Sequence, residues 1–409
     1  MAKKSNKKTN KDNYDTYEIS VSSGSGSGKK KGAKAKSVKV SLPKYVTIII
    51  IIIIAAVAVY MYFNKTNSTP ASPKPPVSNV PLFSGTSEAS TDKLKIHFID
   101  IGQGDCIFIQ FPDGKNMLID SGKKGVHTDG GKTNLNVIKD YLSGLNVNKI
   151  TVALATHADE DHIGNLAELY SAYDIAFSMR PSAYYSGTAG TFPENFNPVP
   201  TVKKHKDQTS KTYFNYLTAV VGEQTDWTFF NYASDFSQDF TFNGGTYNYN
   251  VDFYTPLEEV GAIGYSDAND YSPLMMLTYG SFNMMFTGDA HSNVEKQFVA
   301  KLGSRNIALP DDNVEVLKVG HHGSESSSSA SFLDALMPDN AVIMCGKGNT
   351  YKHPHQSTVE GLKRVGSLIY RTDMQGSIVL TVNADGTYNF ATEKSVGSVD
   401  ELYTYPARN

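Results

Sequence analysis

Apolar residues fall along this chain in three different rhythms. From Tyr45 to Phe63 they are continuous: YVTIIIIIIIAAVAVYMYF carries no charge and no polar face. Elsewhere they come in short runs of strand length. KLKIHFID, CIFIQF and NMLID read as three strands separated by GQGD and PDGK turns. ITVALA, LMMLTY, NMMFT, VEVLKV, AVIM and SIVLTV read as further buried strands. The third rhythm is helical. Leu135, Val137, Ile138, Tyr141 and Leu142 line one face over Asn134 to Leu142, and helices are predicted at 292–302, 329–336 and 356–365. Strands interleaved with helices predict α/β layering, with helices covering the outer faces of sheets. Between about 171 and 250 the rhythm breaks. Aromatic residues there, including Tyr184, Tyr185, Trp227, Phe229 and Phe230, stand among polar ones, and the stretch reads as an insertion beside the core.

The continuous run predicts a single transmembrane helix at 45–63. At a rise of about 1.5 Å per residue it nearly crosses a hydrocarbon layer of roughly 30 Å. Tyr45, Tyr60, Tyr62 and Phe63 stand at its ends as interfacial residues do. Residues 1–44 hold twelve lysines against three acids, a net charge of about +9, within a chain of net charge −3. The lysine excess predicts a cytoplasmic N-terminus and an extracellular C-terminal part of about −12, a charge that argues against indiscriminate nucleic-acid binding. The tail, with SGSGSGKKKGAKAK at its centre, is expected to be disordered. Residues 64–92 form a Pro/Ser/Thr-rich stalk, and a folded domain is expected over 93–409. The two cysteines, Cys106 and Cys345, lie in apolar strand-like runs and read as buried thiols; a disulfide scaffold is excluded.

The candidate chemistry begins at THADEDHIGN, where a buried strand ends in His157, Asp159, Asp161 and His162. Imidazoles and carboxylates at this spacing suit a hard or borderline cation, although a solvated loop or helix cap has the same composition. Distant segments tip the balance. FTGDA, with Asp289, and LKVGHHGS, with His321 and His322, end other apolar strands, and GNTYKHPH adds His353 and His355. Six of the ten histidines thus fall in three short motifs, which unrelated core histidines would not do.

These motifs resemble the metallo-β-lactamase superfamily, whose signature is His-x-His-x-Asp-His, a later bridging Asp and a final His. More narrowly they resemble the metallo-β-lactamase-like domain of the ComEC-like competence proteins. The matching segments are FIDIGQGDCIFIQFPDGKNMLIDSG, THADEDHIGN, NDYSPLMMLTYGSFNMMFTGD, LKVGHHGS, GKGNTYKHPH and YRTDMQGSIVL. The resemblance implies a four-layer αββα sandwich binding one or two divalent ions, zinc or manganese. His157 and Asp159 would hold one ion; Asp161, His162 and His321 the other; Asp289 would bridge them, and Asp120 would support the ligand loop. Asp161, His322, His353 and His355 are catalytic candidates. Asn349, Ser324, Gln103 and Asp105 are candidates for substrate binding. His322, His353, His355, Asn349 and Ser324 read equally well as groups that orient ligands or cap the helix after HPH. The SESSSSAS run reads most simply as a cap for the helix that follows it. One departure concerns the middle histidine many members supply: His205, in VKKHKD, is the sole histidine between 163 and 288 and a poor candidate. The carboxylate at 159 makes the site richer in oxygen, shifting preference slightly towards manganese.

The expected function is that of a membrane-anchored, extracellular metal-dependent hydrolase, a phosphodiesterase or nuclease. A phosphodiester such as single-stranded DNA is the expected substrate, with Lys203, Lys204, Lys206 and Lys211 beside Tyr213, Phe214 and Tyr216 as one place to bind a strand. The same lysines also fit a solvated loop. The enzyme alternative is hydrolysis of a cell-wall or teichoic-acid phosphoester; the non-enzyme alternative is a metal-stabilised binding module in competence or surface assembly.

Overall fold

The computed structural model of the 409-residue chain describes residues 14–21, 36–43, 92–127, 130–181, 210–222, 226–230, 238–254, 267–302 and 314–407. It divides into two units, 1–78 and 79–409. In the first, β1 (Tyr14–Val21) pairs antiparallel with β2 (Lys36–Pro43), flanking the lysine-rich centre of the tail that composition alone marks as disordered. The expected span at 45–63 lies outside the described residues. Among those described, no helix is long and apolar enough to cross a membrane.

The second unit holds β3 (Lys93–Phe98), β4 (Ile107–Gln110), β5 (Asn116–Ile119), β6 (Lys149–Leu154), β7 (Asp174–Pro181), β8 (Asp226–Phe230), β9 (Gln238–Asn243) and β10 (Tyr249–Tyr254). It continues through β11 (Leu274–Tyr279), β12 (Phe282–Phe286), β13 (Val316–Lys318), β14 (Asn340–Ile343), β15 (Leu368–Arg371), β16 (Ile378–Asn383) and β17 (Tyr388–Thr392). One sheet runs β17-β16-β3-β4-β5-β6-β7-β8, the other β15-β14-β13-β12-β11-β10-β9. Alternation decides which side chains meet. Ile107 and Ile109 of β4 face inward with Phe282, Met284 and Phe286 of β12, while Phe108 and Met285 face outward. The outer face of the first sheet is covered by the helices Asn134–Gly144 and Lys211–Gly222, that of the second by Ser292–Lys301, Ala330–Leu336 and Gln356–Arg364. This is the mixed α/β sandwich of four layers. Each apolar side chain buried between the sheets contributes roughly 1.5–3 kcal/mol.

The described parts of the 171–250 stretch belong to the sheets. β7 continues the first sheet parallel to β6, β8 extends it parallel to β7, and β9 and β10 edge the second sheet. Tyr213 and Tyr216, offered above as rings for a strand of nucleic acid, are buried with Leu217 and Val220 in the outer core of the first sheet. Tyr–polar patterning obscured this, because a tyrosine buries its ring while its hydroxyl still needs a partner. Tyr216 finds one at Ser178 Oγ, 3.4 Å away. Tyr184, Tyr185, Lys203, Lys204, His205 and Lys206 lie outside the described residues; of Phe214, Trp227, Phe229 and Phe230 only the backbone is described.

Two runs of parallel strands, β5-β6-β7-β8 and β12-β13-β14-β15, set the site. At the carboxyl ends of β5, β6, β12, β13 and β14 come Asp120, Thr156, Asp289, His321 and the 345–355 loop. Ligands of open α/β sheets gather at such ends. Cys106 and Cys345 are both buried free thiols.

Candidate metal centre

The ligand loop after β6 is held by a carboxylate. Asp120, at φ 58° where β5 stops, is fully buried. It accepts the Thr156 amide at 2.8 Å, the Thr156 hydroxyl at 2.6 Å and His162 Nδ1 at 2.7 Å. With Nδ1 so occupied, His162 Nε2 points to Asp289 Oδ2 at 3.1 Å. His157 Nδ1 is flanked by Thr156 Oγ1 at 3.0 Å and Ser272 Oγ at 3.3 Å. Its Nε2 is buried without a hydrogen-bond partner and lies 3.8 Å from Asp159 Oδ2. Asp159 sits at the N-cap of the short helix Glu160–Ile163, yet its side chain makes no cap bond there.

A second arm comes from β13. Between Gly320 and Gly323, His321 (φ 49°, ψ 47°) and His322 (φ 56°, ψ 21°) are consecutive left-handed residues. That conformation costs each of them about 1–3 kcal/mol, and it is strain of the kind that gathers at functional sites. It brings both rings to the centre. His322 Nε2 lies 3.3 Å from Asp289 Oδ2, 3.3 Å from His162 Nε2 and 3.4 Å from Asp161 Oδ2. His321 Nε2 is farther, 3.8 Å from Asp289 Oδ2, with its Nδ1 beside Ser326 Oγ at 3.0 Å. His322, assigned above to catalysis, therefore reaches deeper among the ligand atoms than His321.

Asp105 is not a substrate-facing turn residue. It is buried beneath the centre, where Oδ2 takes Lys318 Nζ at 2.6 Å and Oδ1 stands 3.2 Å from His322 Nδ1, whose hydrogen goes to the Met344 carbonyl. The GQGD turn packs directly on the ligand loop: a Cβ at Gly104 would meet the Asp161 carbonyl at 2.2 Å. Two carboxylate–histidine pairs result, Asp120–His162 and Asp105–His322, each directing Nε2 at Asp289. Such pairing sets tautomer and ring orientation in metal sites.

Asp105, His162, Asp289 and His322 each offer a ligand atom within 4.8 Å of the others. Asp105 lies behind His322 and is engaged by Lys318, so the atoms facing inward are those of His157, His162, Asp289, His322 and Asp161. His157 Nε2 and Asp289 Oδ1 are buried without hydrogen-bond partners, and the donor set mixes imidazole nitrogen with carboxylate oxygen. The residues fit a divalent cation of the zinc or manganese type. Electrostatics agree. Burial opposes charge here, yet His162, His322 and His321 outweigh it at Asp289 and hold that carboxyl well below its usual range. Burial likewise lowers His162 and His322, but Asp289, joined by Asp120 for the first and by Asp105 and Asp161 for the second, raises both well above the ordinary histidine value. The cluster draws positive charge to its middle.

The remaining candidates separate. His353 is 5% exposed, its Nδ1 has no hydrogen-bond partner, and its ring lies 5.6 Å from that of His321. Burial, then His322 and His321, push its pKa down to about 3, so it is neutral. His355 is consumed by the backbone: Nδ1 accepts the Glu325 amide at 3.0 Å and Nε2 donates to the Tyr351 carbonyl at 3.1 Å. Asn349 is consumed too, donating to the Gly346 and His353 carbonyls and accepting the His353 amide. Ser324 Oγ meets the amide and hydroxyl of Ser326, and Gln103 Oε1 accepts the Gly346 amide, leaving buried Nε2 without a partner. The side chains of His355 and Asn349, expected above at an acid, base or substrate position, are here bound to the backbone of their own loop and of Glu325. The serine run does not cap the helix Ala330–Leu336 through a side chain; Glu295 accepts the amides of Ser328 and Ser329 instead.

Three neighbours escaped the sequence reading. Lys318 carried a signal, a lone lysine in the apolar run VEVLKV, since a buried lysine needs an acid. Ser272 carried none. His291, two residues beyond Asp289, stands at the N-cap position of the helix Ser292–Lys301 without a side-chain cap bond, its ring 5.3 Å from His321 and Nδ1 3.1 Å from Asp270 Oδ1.

Residues 99–212 match the metallo-β-lactamase superfamily. ComE operon protein 3 of Bacillus subtilis is 25% identical over 297 residues, covering 69% of this chain and 32% of that protein. Recombination protein 2 of Haemophilus influenzae is 25% identical over 293 residues, 71% of this chain and 29% of that protein. The chain thus spans about a third of the length of these curated relatives. Among solved structures, a metal-dependent hydrolase of the β-lactamase superfamily is similar at 14% identity and a TM-score of 0.39, over 73% of this chain and 99% of that one. The chain carries a metallo-β-lactamase superfamily domain and is homologous, through that part, to the ComEC-like competence proteins.

Proposed function

We propose that this chain is a membrane-anchored, extracellular phosphodiesterase acting on nucleic acid. The observation that carries the reading is the convergence on Asp289 of two carboxylate-backed imidazoles, with His157 Nε2 and Asp289 Oδ1 buried and unpartnered beside them. His157, Asp159, Asp161, His162, Asp289 and His322 would hold one or two divalent ions, with His321 at the rim. Such ions supply a more acidic bound water and polarise a phosphoryl oxygen. The chain's own groups do the rest. Asp120 and Asp105 keep two imidazoles in one tautomer, Lys318 neutralises Asp105 from below, and neutral His353 packs its ring against His321 and His322. Nucleic acid is favoured over other phosphodiesters because two relatives of this part are, by name, a recombination protein and a competence protein. The apolar run at 45–63 and its lysine-rich N-terminal flank support anchoring with the domain outside.

The test is cleavage of labelled single-stranded DNA and of bis-p-nitrophenyl phosphate by the full chain in detergent, with manganese or zinc. Turnover that Asp289→Ala abolishes supports the reading. Stoichiometric bound metal without turnover of either substrate overturns it in favour of a binding module. Cleavage of a polyglycerol phosphate but not of DNA overturns it in favour of a wall phosphoesterase.

A further inference from the structure

Tyr213 and Tyr216 are buried, so the described part of the chain needs another surface to hold a nucleic-acid strand by its bases. Few large apolar side chains are exposed among the described residues, and one of them, Tyr351 at 59%, stands beside the candidate centre. Its loop is tightly built. Asn349 spans it with three hydrogen bonds, His355 clasps the Tyr351 carbonyl to the Glu325 amide, and Lys352 Nζ reaches the Ala407 carbonyl at 3.1 Å. Gln103 ties Gly346 to the turn under the ligand loop. The backbone under Tyr351 is therefore held from several sides while much of its ring stays in water, where apolar surface gains nothing from folding.

The ring has an ordered neighbour. Tyr351 and His353 lie 23° from parallel with centroids 5.7 Å apart. His353 in turn is 5.6 Å from His321 and 6.1 Å from His322. The series Tyr351, His353, His321 leads from solvent to the centre. Buried His353 backs the Tyr351 ring along this series, which fixes where the exposed ring stands relative to the centre. An exposed planar ring leading inward to a cation-drawing cluster matches a nucleotide read from base to phosphate.

We propose that Tyr351, backed by His353, is a stacking platform for an unpaired nucleobase next to the scissile phosphodiester, which makes single-stranded nucleic acid the substrate class. The inference rests on the phosphodiesterase reading above. A base within a duplex has both faces covered by its neighbours and cannot stack here without being extruded. Stacking tolerates every base, so the platform confers strand selectivity and not sequence selectivity.

The experiment uses the full chain in detergent, as wild type, Tyr351→Phe, Tyr351→Trp and Tyr351→Ala. Each is assayed on a single-stranded oligonucleotide and on the same strand carrying abasic residues throughout. Tyr351→Ala is expected to raise KM on the intact strand about ten-fold or more with little change in kcat, while Phe and Trp retain wild-type KM. On the abasic strand all four proteins should share one KM. An unchanged KM on the intact strand, or an equal rise on the abasic one, overturns the proposal. Binding without added metal gives a second readout: a 2-aminopurine oligonucleotide should be quenched by wild type and not by Tyr351→Ala. If wild type cleaves no phosphodiester, the functional reading falls, and the quenching alone decides the stacking site.

Discussion

Two histidine-rich loops face each other at one edge of the sandwich, and they treat their polar atoms in opposite ways. In the HADEDH loop and its partners, His157 Nε2 and Asp289 Oδ1 are buried with no hydrogen bond, and two imidazoles crowd one carboxylate oxygen. In the 345–355 loop, His353 Nδ1 is the exception to a different pattern: both nitrogens of His355 and three of the hydrogen-bonding positions of Asn349 are spent on the backbone. A buried polar group left unmade costs about 1–3 kcal/mol, so the first arrangement persists only where something else is gained. The second stabilises a shape. The difference teaches that residue type places a histidine near chemistry, whereas the fate of its two nitrogens assigns the role.

The most severe way to break this contrast is at Asp289. Asp289→Ala should remove both measurable turnover and bound divalent metal, read by elemental analysis, while the domain still melts cooperatively. Retained metal would show that the imidazoles suffice without the carboxylate. Next is the ion pair beneath. Lys318, 1% exposed, is the cation against Asp105. Lys318→Met strands that carboxylate in the core and should cost about 3–5 kcal/mol of stability in a denaturant titration.

A third histidine outside both loops sharpens the comparison. His97 is 3% exposed, with Nδ1 3.0 Å from the Tyr141 hydroxyl and Nε2 3.1 Å from Gln110 Oε1. Burial, aided by Lys95, lowers its pKa to about 4 against Gln110, so the folded protein holds it neutral. The unfolded chain binds the extra proton below about pH 6.5, so this group's share of stability is whole above that pH and falls as pH drops towards 4. The loss should approach about 3 kcal/mol. His97→Gln should flatten that part of the melting temperature against pH; an unchanged slope would show that His97 is not its source.

Asp120→Asn leaves the loop's shape but weakens the carboxylate behind His162. Metal affinity should fall about 10- to 100-fold, as for other outer partners of metal-bound histidines. The smallest effect belongs to His355. As a clasp, His355→Ala should cost only a few-fold in rate, whereas a general acid or base would cost about 10²–10⁴-fold. A loss of that larger size would erase the distinction between the loops.

Much of this was legible in the chain. Runs such as LMMLTY and NMMFT became β11 and β12, and the helix predicted at 356–365 spans Gln356–Arg364. The strand-end positions of His157, Asp289 and His321 were readable because an apolar run that stops at polar residues marks where a chain leaves its sheet. The 171–250 stretch was not. Its tyrosines look solvent-facing by composition, although its strands pair with their neighbours in sequence. The exchange of depth between His321 and His322 was also hidden, because it depends on two successive left-handed residues between glycines.

By itself, then, the sequence determined most secondary elements outside the 171–250 stretch, the ligand inventory and the lysine that had to find an acid. Those follow from local periodicity and from the cost of burying charge. Only the tertiary structure decided which acid Lys318 met, which histidine of the GHHG turn faces Asp289 more closely, and which polar atoms were already spent. Hydrogen-bond completion is settled between segments: Asp105 and His322 stand 217 positions apart yet 3.2 Å from one another, and no spacing along the chain encodes that meeting.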